Sequence, residues 1–379
     1  MKGSVFKRGK TWSIDAKLYK DENNKWVRLQ KGGFRTKREA DEFLREQLNK
    51  LDNGNYPKFE NLTVADFLNL WLKEHAKHNM KQSTYENREV MIRKRIVPAI
   101  GQMKLEDVKP IHFKRFYNEL REEGLSQQYV HTIHSLLRSA FRHATKWQVA
   151  STNIMEHVDS PKLTANKQLK TWTLEQSVQF LNYTSSLTDE YCHIAYVLAI
   201  FTGMRRGEVL GLRWSDVNLD KKTLQVVQTV YRTNGQAPTI QTPKTSSSAR
   251  SITLPDNVID ELKAHKAKQN QWRLMFGSAY EDNGLVCPNP NGKPMDPRLL
   301  FGHFKKCAKH VGLPDIRFHD LRHTHATIML QLGEHPKVVS ERLGHSNVNI
   351  TLNTYSHVLP NMQEDAARKL FEAFKNVQM

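Results

Sequence analysis

Five side chains that resist burial stand in short polar boxes along the second half of this chain: Arg205, His319, Arg322, His345 and Tyr355. Groups of this kind are rarely taken out of water without partners, so they make poor core material. They suit one task well, holding a phosphate while a tyrosine oxygen attacks it. A phenol has a reference pKa of about 10 and is a weak nucleophile at neutral pH. Attack on a phosphodiester also builds negative charge on the nonbridging oxygens. The planar guanidinium fork matches two such oxygens and stays charged, so two arginines from separate segments could clamp the phosphate. Histidine can accept the tyrosine proton or donate a further hydrogen bond. The leaving oxygen then needs a proton, which a lysine could supply.

The charge of the chain names the class of partner. Its 379 residues hold 57 Lys and Arg against 39 Asp and Glu, a formal net charge of +18. Such an excess attracts a polyanion through phosphate contacts that release counterions. Ribosome-associated and membrane-surface proteins can be equally basic, so charge alone does not single out DNA. The length calls for two or three domains. No run approaches the roughly 18 apolar residues of a membrane span. MKGSVFKRGK at the start lacks the apolar stretch of a secretory signal. Cys192, Cys287 and Cys307 are odd in number and widely spaced, which argues against a disulfide framework or a structural zinc and for a reducing cytoplasm.

Residues 1 to about 55 read as a small basic module. Thr11–Tyr19 and Lys25–Gln30 have strand character, and Thr36 is placed to cap a helix over 37–51 with Glu39 at the capping-box position. Residues 1–58 hold 15 Lys and Arg and 8 Asp and Glu, a net of +7, and such basic strands suit a sheet laid in a DNA groove. Asn53–Pro57 breaks the helix and opens a linker. From a Thr63 cap the pattern is helical to about residue 149, with packing stripes at Phe67, Leu70 and Trp71, at Phe113, Phe116, Tyr117 and Leu120, and at Val130, Ile133, Leu137 and Phe141. A polar linker spans 160–170. A further domain begins at a Thr173 cap, with an apolar helix from His193 to Phe201 and a small β-sheet marked by 224–230, Asn234-Gly235 and 250–254. Helices dominate from Asn257 onward.

Three boxes now line up in order. Thr202-Gly203-Met204-Arg205-Arg206-Gly207-Glu208-Val209-Leu210-Gly211-Leu212-Arg213-Trp214, then Phe318-His319-Asp320-Leu321-Arg322-His323-Thr324-His325-Ala326-Thr327, then Leu343-Gly344-His345-Ser346 and Thr354-Tyr355-Ser356-His357 resemble the signature of the tyrosine recombinase, or phage integrase, family. The resemblance covers roughly residues 170–379. It implies Tyr355 as the nucleophile that forms a covalent 3′-phosphotyrosyl link, and Arg205 and Arg322 as phosphate clamps. It implies His319 as general base or proton relay and His345 as a hydrogen-bond donor to the phosphate. Thr242-Pro243-Lys244-Thr245 resembles the family's β-hairpin lysine, making Lys244 the general acid, and Glu208 would orient the first arginine.

The same resemblance implies an α+β multidomain architecture. Residues 1–58 would be a three-stranded sheet plus helix that binds arm DNA, 62–158 a helical, SAM-like core-binding domain, and 168–379 a mainly α catalytic domain with a small antiparallel β-sheet and a tail helix over 361–379. Candidate DNA-contacting residues are Arg8, Lys10, Lys17 and Arg28 in the first module, and Lys81, Thr84 and Arg88 in the second. The implied partners are double-stranded DNA at core and arm sites, a homotetramer on that DNA, an accessory DNA-bending protein and an excision factor, in a bacterial cytoplasm and without a membrane. No metal, ATP or redox cofactor is implied, because the phosphotyrosine conserves the bond energy.

Rival readings attach to particular residues. Type IB topoisomerases relax DNA with much the same side chains, and a DNA-binding regulator could inherit the fold. Arg206 is a better candidate than Arg205 for a structural ion pair. His323 and His325 are assigned to structure or DNA contact, since their spacing from His319 lacks the Glu of HExxH and any cysteine ligand. In the tail, Ala366, Leu370, Phe371 and Phe374 share one helix face, apolar enough to pack on its own domain or to dock on a neighbouring protomer.

Overall fold

The computed structural model describes residues 3–20, 26–52, 61–163, 169–187, 191–232, 237–241 and 249–356, and in the tail 367–368, 370–372 and 374–375. The chain divides into two compact units, Met1–Ala165 and Asn166–Met379.

The first unit opens with strands β1 (Gly3–Arg8), β2 (Thr11–Lys20) and β3 (Trp26–Phe34), paired antiparallel in that order. Helix α1 (Lys37–Asp52) packs on one face through Ala40 and Leu44, against Ile14, Ala16 and Phe34. Gly3 admits this close approach, since a Cβ there would stand 2.8 Å from Leu44. Thr36 accepts from the Glu39 N–H at 3.1 Å, as a cap should. The Glu39 carboxylate reaches past Thr36 to the N–H of Arg35, at 3.0 Å. β1 has no clear alternation in sequence and belongs to the sheet through its pairing with β2.

A helical bundle follows: α2 (Val64–Trp71), α3 (Lys77–Asn79), α4 (Gln82–Met91), α5 (Val97–Ile100), α6 (Pro110–Glu122) and α7 (Gln127–Lys146). Thr63 and Asp66 cap α2 reciprocally. Wide π-type turns at Leu72–Ala76 and Ile92–Ile96 join α2 to α3 and α4 to α5 without breaking the rods. The three aromatic stripes meet inside, where Phe113 and Phe67 both set their edges against Phe141. Burying each such side chain stabilises by about 1.5–3 kcal/mol. One position of the first stripe is displaced: Leu68 is buried and Leu70 only half-buried. Leu68 and Leu70 stand two residues apart, on nearly opposite sides of the helix, and the core takes the side with Val64, Phe67, Leu68 and Trp71.

The second unit is mainly helical and carries small antiparallel sheets. Its helices are α8 (Leu174–Ser185), α9 (His193–Thr202), α10 (Arg206–Gly211), α11 (Asp256–Phe276), α12 (Pro297–His310), α13 (Asp320–Gln331), α14 (Pro336–Leu343) and α15 (Val348–Tyr355). Strands β4 (Val217–Asn218), β5 (Thr223–Val226) and β8 (Arg250–Thr253) form one antiparallel sheet in the order β4-β5-β8, while β6 (Thr229–Tyr231) and β7 (Thr239–Gln241) form a separate pair. The continuous strand expected over 224–230 is thus two strands in different sheets. Gln228 turns out to donate to the Gly211 carbonyl at 2.7 Å, and β6 then runs across α10. Glycines make that crossing possible, because a Cβ on Gly207 would stand 2.3 Å from the Thr229 hydroxyl. Asn234-Gly235 lies outside the described residues.

α9 is buried almost all round and forms the axis of this unit's core with Trp172, Phe180, Phe304 and Phe318. It stops at Gly203, whose left-handed φ of 65° only glycine adopts cheaply. Among the described residues, no helix is long and apolar enough to cross a membrane.

Candidate active site

The turn between α9 and α10 delivers the first arginine. Glu208, buried in α10, accepts from the backbone N–H of Arg205 at 3.0 Å and from its Nη1 at 2.7 Å. The same carboxylate pairs with Arg250 Nη2 at 2.9 Å. Burial alone would raise the Glu208 carboxyl, but Arg250 and Arg205 hold it below the usual range. Arg205, not Arg206, makes the ion pair. Arg206 turns to the Pro297 carbonyl at 3.4 Å, reversing the expectation for the two neighbours. The reason is positional: Arg205 is the residue before the helix, so its backbone and side chain both meet the third residue of the first turn.

Arg250 was not foreseen as part of the site. Its side chain is 7% exposed, and Nε donates to the Arg342 carbonyl at 2.7 Å. The signal was present in the strand alternation, which puts Arg250 in phase with the buried Ile252. Lys244 lies outside the described residues.

The second arginine, Arg322, is 3% exposed on α13. Its Nη1 donates to the Gly203 carbonyl at 2.9 Å, while Nη2 is buried and has no hydrogen-bond partner among the described residues. Burial, then the charges of Arg205 and Arg250, push this guanidinium down to about 9, still protonated at neutral pH. A buried, unmet cationic donor costs free energy on the order of 1–3 kcal/mol or more, which an anion would offset.

Tyr355 ends α15 and is 1% exposed, packed among Ala326, Leu330, Val339 and Leu343. Burial pushes its phenol up to about 12, with Arg322 opposing. The phenol oxygen lies 2.7 Å from Nδ1 of His323, so its hydrogen-bond partner is His323 and not His319. His319 sits edge-on to His323, with ring centroids 5.3 Å apart. The reading of His323 as a structural or DNA-contacting residue did not foresee this contact with Tyr355. α13 starts at Asp320, so His319 lies just outside the helix and His323 one turn in, on the side that faces α15. Sequence offered only a weak hint, the four-residue spacing of the two rings.

His345 follows Gly344, the left-handed cap of α14, and its Nδ1 lies 2.8 Å from the buried Thr351 hydroxyl. A hydroxyl donating to Nδ1 leaves Nε2 carrying the proton. Burial and the nearby guanidinium groups push His319 and His345 down to about 4, so both rings are neutral at pH 7. His325 stands apart. It is bonded to the Ile200 carbonyl at 2.8 Å and to Arg342 at 3.3 Å, a bridge between α13, α9 and α14. Beside Arg205 and His319 opens a cleft of about 570 Å³ that Arg206, Arg232 and Arg317 also line.

The candidate DNA-contacting residues of the first unit divide. Arg8 and Lys17 are exposed on the sheet and Lys10 in the turn between β1 and β2, with Lys17 over the Trp26 ring at 5.9 Å. Arg28 is held by Asp15 through two contacts, at 2.8 and 3.2 Å. Lys81 and Thr84 are exposed at the start of α4. Arg88 folds back over the Trp71 ring at 5.6 Å and is half-buried, which takes it off the solvent-facing side expected for it. A cation above an indole face gains from the ring quadrupole, and that attraction wins here.

These contacts gather three guanidinium groups, neutral imidazoles and a buried tyrosine in the second unit of a mainly helical chain. The Phage integrase family matches residues 168–362, the N-terminal SAM-like domain of phage integrases matches 63–121, and an Arm DNA-binding domain matches 4–51. The tyrosine recombinase XerC-like protein of Caldanaerobacter subterraneus subsp. tengcongensis is 30% identical over 98% of this chain and 99% of its own length. The ICEBs1 integrase of Bacillus subtilis is 26% identical over 87% of this chain and 86% of its own. The fold is shared with the Tn1549 transposon integrase solved with a circular intermediate DNA (TM-score 0.69, 22% identity, 82% of this chain and 99% of that one). It is shared too with a lambda integrase tetramer bound to a Holliday junction (TM-score 0.58, 20% identity, 90% and 95%). The chain belongs to the phage integrase family of tyrosine recombinases, enzymes that break and rejoin DNA.

Proposed function

We propose that this recombinase integrates and excises a mobile element, with Tyr355 attacking the scissile phosphate to form a 3′-phosphotyrosyl link. Arg205 and Arg322 clamp the nonbridging oxygens, and His345 donates to them from Nε2. His319 serves as a proton relay, Lys244 protonates the leaving 5′-oxygen, and Glu208 orients Arg205. The observation that carries this reading is Arg322: buried, bonded through Nη1, with Nη2 unmet and Tyr355 close enough to feel its charge. A phosphate oxygen satisfies that donor, and its negative charge answers the three guanidinium groups gathered around Glu208.

Strands are exchanged in pairs through a four-way junction held by a homotetramer, a reading supported by the lambda integrase tetramer on a Holliday junction. Residues 1–58 address arm DNA, 62–158 grip the core site and 168–379 carry the chemistry. Leu370 and Phe371 of the tail are 61% and 69% exposed, which favours docking on a neighbouring protomer over packing on the same domain. An accessory DNA-bending protein and an excision factor would set direction, and the bacterial cytoplasm is where such DNA is met. Relaxation by a type IB topoisomerase needs no second DNA address, so the arm module favours the integrase.

The test is a nicked core site that traps the covalent adduct. Tyr355→Phe should abolish the adduct and leave DNA binding within about twofold. An adduct that persists in Tyr355→Phe would end this assignment.

A further inference from the structure

We infer that His323 is the catalytic residue that takes the proton from Tyr355 on cleavage and keeps it until the strand is rejoined. This rests on the reading of Tyr355 as the nucleophile and extends it to the atom that must receive the phenol proton.

The geometry is direct. The phenol oxygen and His323 Nδ1 are 2.7 Å apart, a full hydrogen bond between partly buried groups. In the tautomer that this transfer requires, the phenol donates, Nδ1 accepts and the ring proton sits on Nε2. General-base transfer needs this distance before anything else. A buried phenol ionises poorly, as its displacement to about 12 shows, so attack at neutral pH requires that the proton leave as the new bond forms.

The surroundings fit a ring that is neutral at rest and charged in the intermediate. Burial holds His323 below its ordinary value, Asp320 opposes by favouring the imidazolium, and Arg322 and Arg317 push the same way as burial. His319 on its own segment and His345 before α15 also face it, both neutral at pH 7. Asp320 is buried one turn before His323, below its usual carboxylate range because Arg317 bonds it against the cost of burial. A phosphodiester arriving between Arg205 and Arg322 brings the negative charge that makes protonation of His323 easier.

The atoms balance in both directions. On cleavage the Tyr355 O–H bond breaks, its proton passes to His323 Nδ1, the Oη–P bond forms and the P–O5′ bond breaks. The 5′-oxygen leaves with a proton from the acid assigned to Lys244. On rejoining, the 5′-hydroxyl attacks phosphorus and returns its proton to that acid. The departing phenolate then recovers its own from His323.

The experiment uses the full-length protein and nicked core-site DNA in single-turnover cleavage. His323→Gln keeps a polar side chain that cannot carry a proton. It should bind core DNA normally but cleave about 10²–10⁴-fold more slowly at pH 7.5, with a rate that keeps climbing toward alkaline pH as hydroxide replaces the lost base. Added imidazole should restore His323→Gly. A 5′-bridging phosphorothiolate leaves without needing a proton, so it should rescue Lys244→Ala but neither His323 variant. A wild-type rate and pH profile in His323→Gln would overturn the inference, as would phosphorothiolate rescue of that variant. A measurement independent of any variant is ¹⁵N-histidine NMR of the wild-type protein, free and trapped as the adduct. Nδ1 should be unprotonated in the free protein and the ring doubly protonated in the adduct, and a neutral ring in the adduct refutes the role. Adduct formation by Tyr355→Phe would instead remove the underlying assignment of the nucleophile, a separate and recognisable failure.

Discussion

Arg250 Nη2 and Glu208 Oε2 lie 2.9 Å apart, both side chains more than nine-tenths buried, and Oε1 of the same carboxylate holds Arg205 at 2.7 Å. Glu208 therefore anchors two guanidinium groups that share the site with a third, Arg322.

Removing that carboxylate should be severe. Glu208→Ala leaves like charges facing one another in a poorly solvated place, and breaking a buried pair costs about 3–5 kcal/mol. For a unit of this size, the unfolding midpoint should fall by roughly 6–20 °C. Inorganic phosphate should restore more of the midpoint in the variant than in the wild type, as scanning calorimetry with and without phosphate will show. Equal gains would mean that the guanidinium cluster is not an anion site.

Arg322→Lys tests the fork itself. The charge remains, but a lysine cannot hold the Gly203 carbonyl and a phosphate oxygen together in one plane. Cleavage of a nicked site should slow by about 10²–10³-fold while core-site affinity changes little. A rate within threefold of wild type would show that the unmet Nη2 has no part in the chemistry.

Gly203 joins two demands, a φ of 65° and no room for a side chain. A Cβ there would lie 2.6 Å from Leu343 and 2.7 Å from His325. Gly203→Ala should push α9 away from α13 and shift the carbonyl that positions Arg322. We expect a lower midpoint and at least a tenfold loss of cleavage, whereas a change in α9 that leaves this turn alone should affect stability only.

Acid should weaken the second unit in a defined window. His319 and His345 are depressed from 6.5 to about 4, and the buried His325 to about 3. Between those values and 6.5 the unfolded chain binds more protons than the folded one, so stability rises with pH and is lost on acidification. Unfolding midpoints followed from pH 7 to pH 4 should fall through that range. His325→Gln should flatten the decline, and an unchanged slope would show that this imidazole does not contribute.

The tail offers a test of assembly. Deleting 361–379 removes Leu370, Phe371 and Phe374, all largely exposed in the single chain. Synaptic complexes on two core sites should weaken in native gels while single-site binding persists. Recombination at the wild-type rate by the shortened protein would show that these side chains dock on nothing the reaction needs.

Much of the candidate site was legible because the chemistry proposed for it demands unusual residues. Arg205, His319, Arg322, His345 and Tyr355 announce themselves by being unsuited to a core, and Thr63 and Thr173 cap their helices by rules that act over three residues. Contacts between distant segments were not legible in this way. Arg250 pairs with Glu208 across 42 positions, and Tyr355 meets His323 across 32. The local signals were faint: an alternation that puts Arg250 in phase with Ile252, and a four-residue spacing of His323 from His319, neither of which names a contact partner.

By itself, then, the sequence determined which reactive side chains are at hand, where the capped helices begin, and that the partner is a polyanion. Those properties reside in single residues, short spacings and summed charge. Only the tertiary structure decided which histidine touches Tyr355, which arginines are buried, and that Arg88 turns inward to Trp71. Such choices depend on how α13, α15 and β8 pack, because hydrogen bonds act over about 3 Å and packing alone brings those atoms that close.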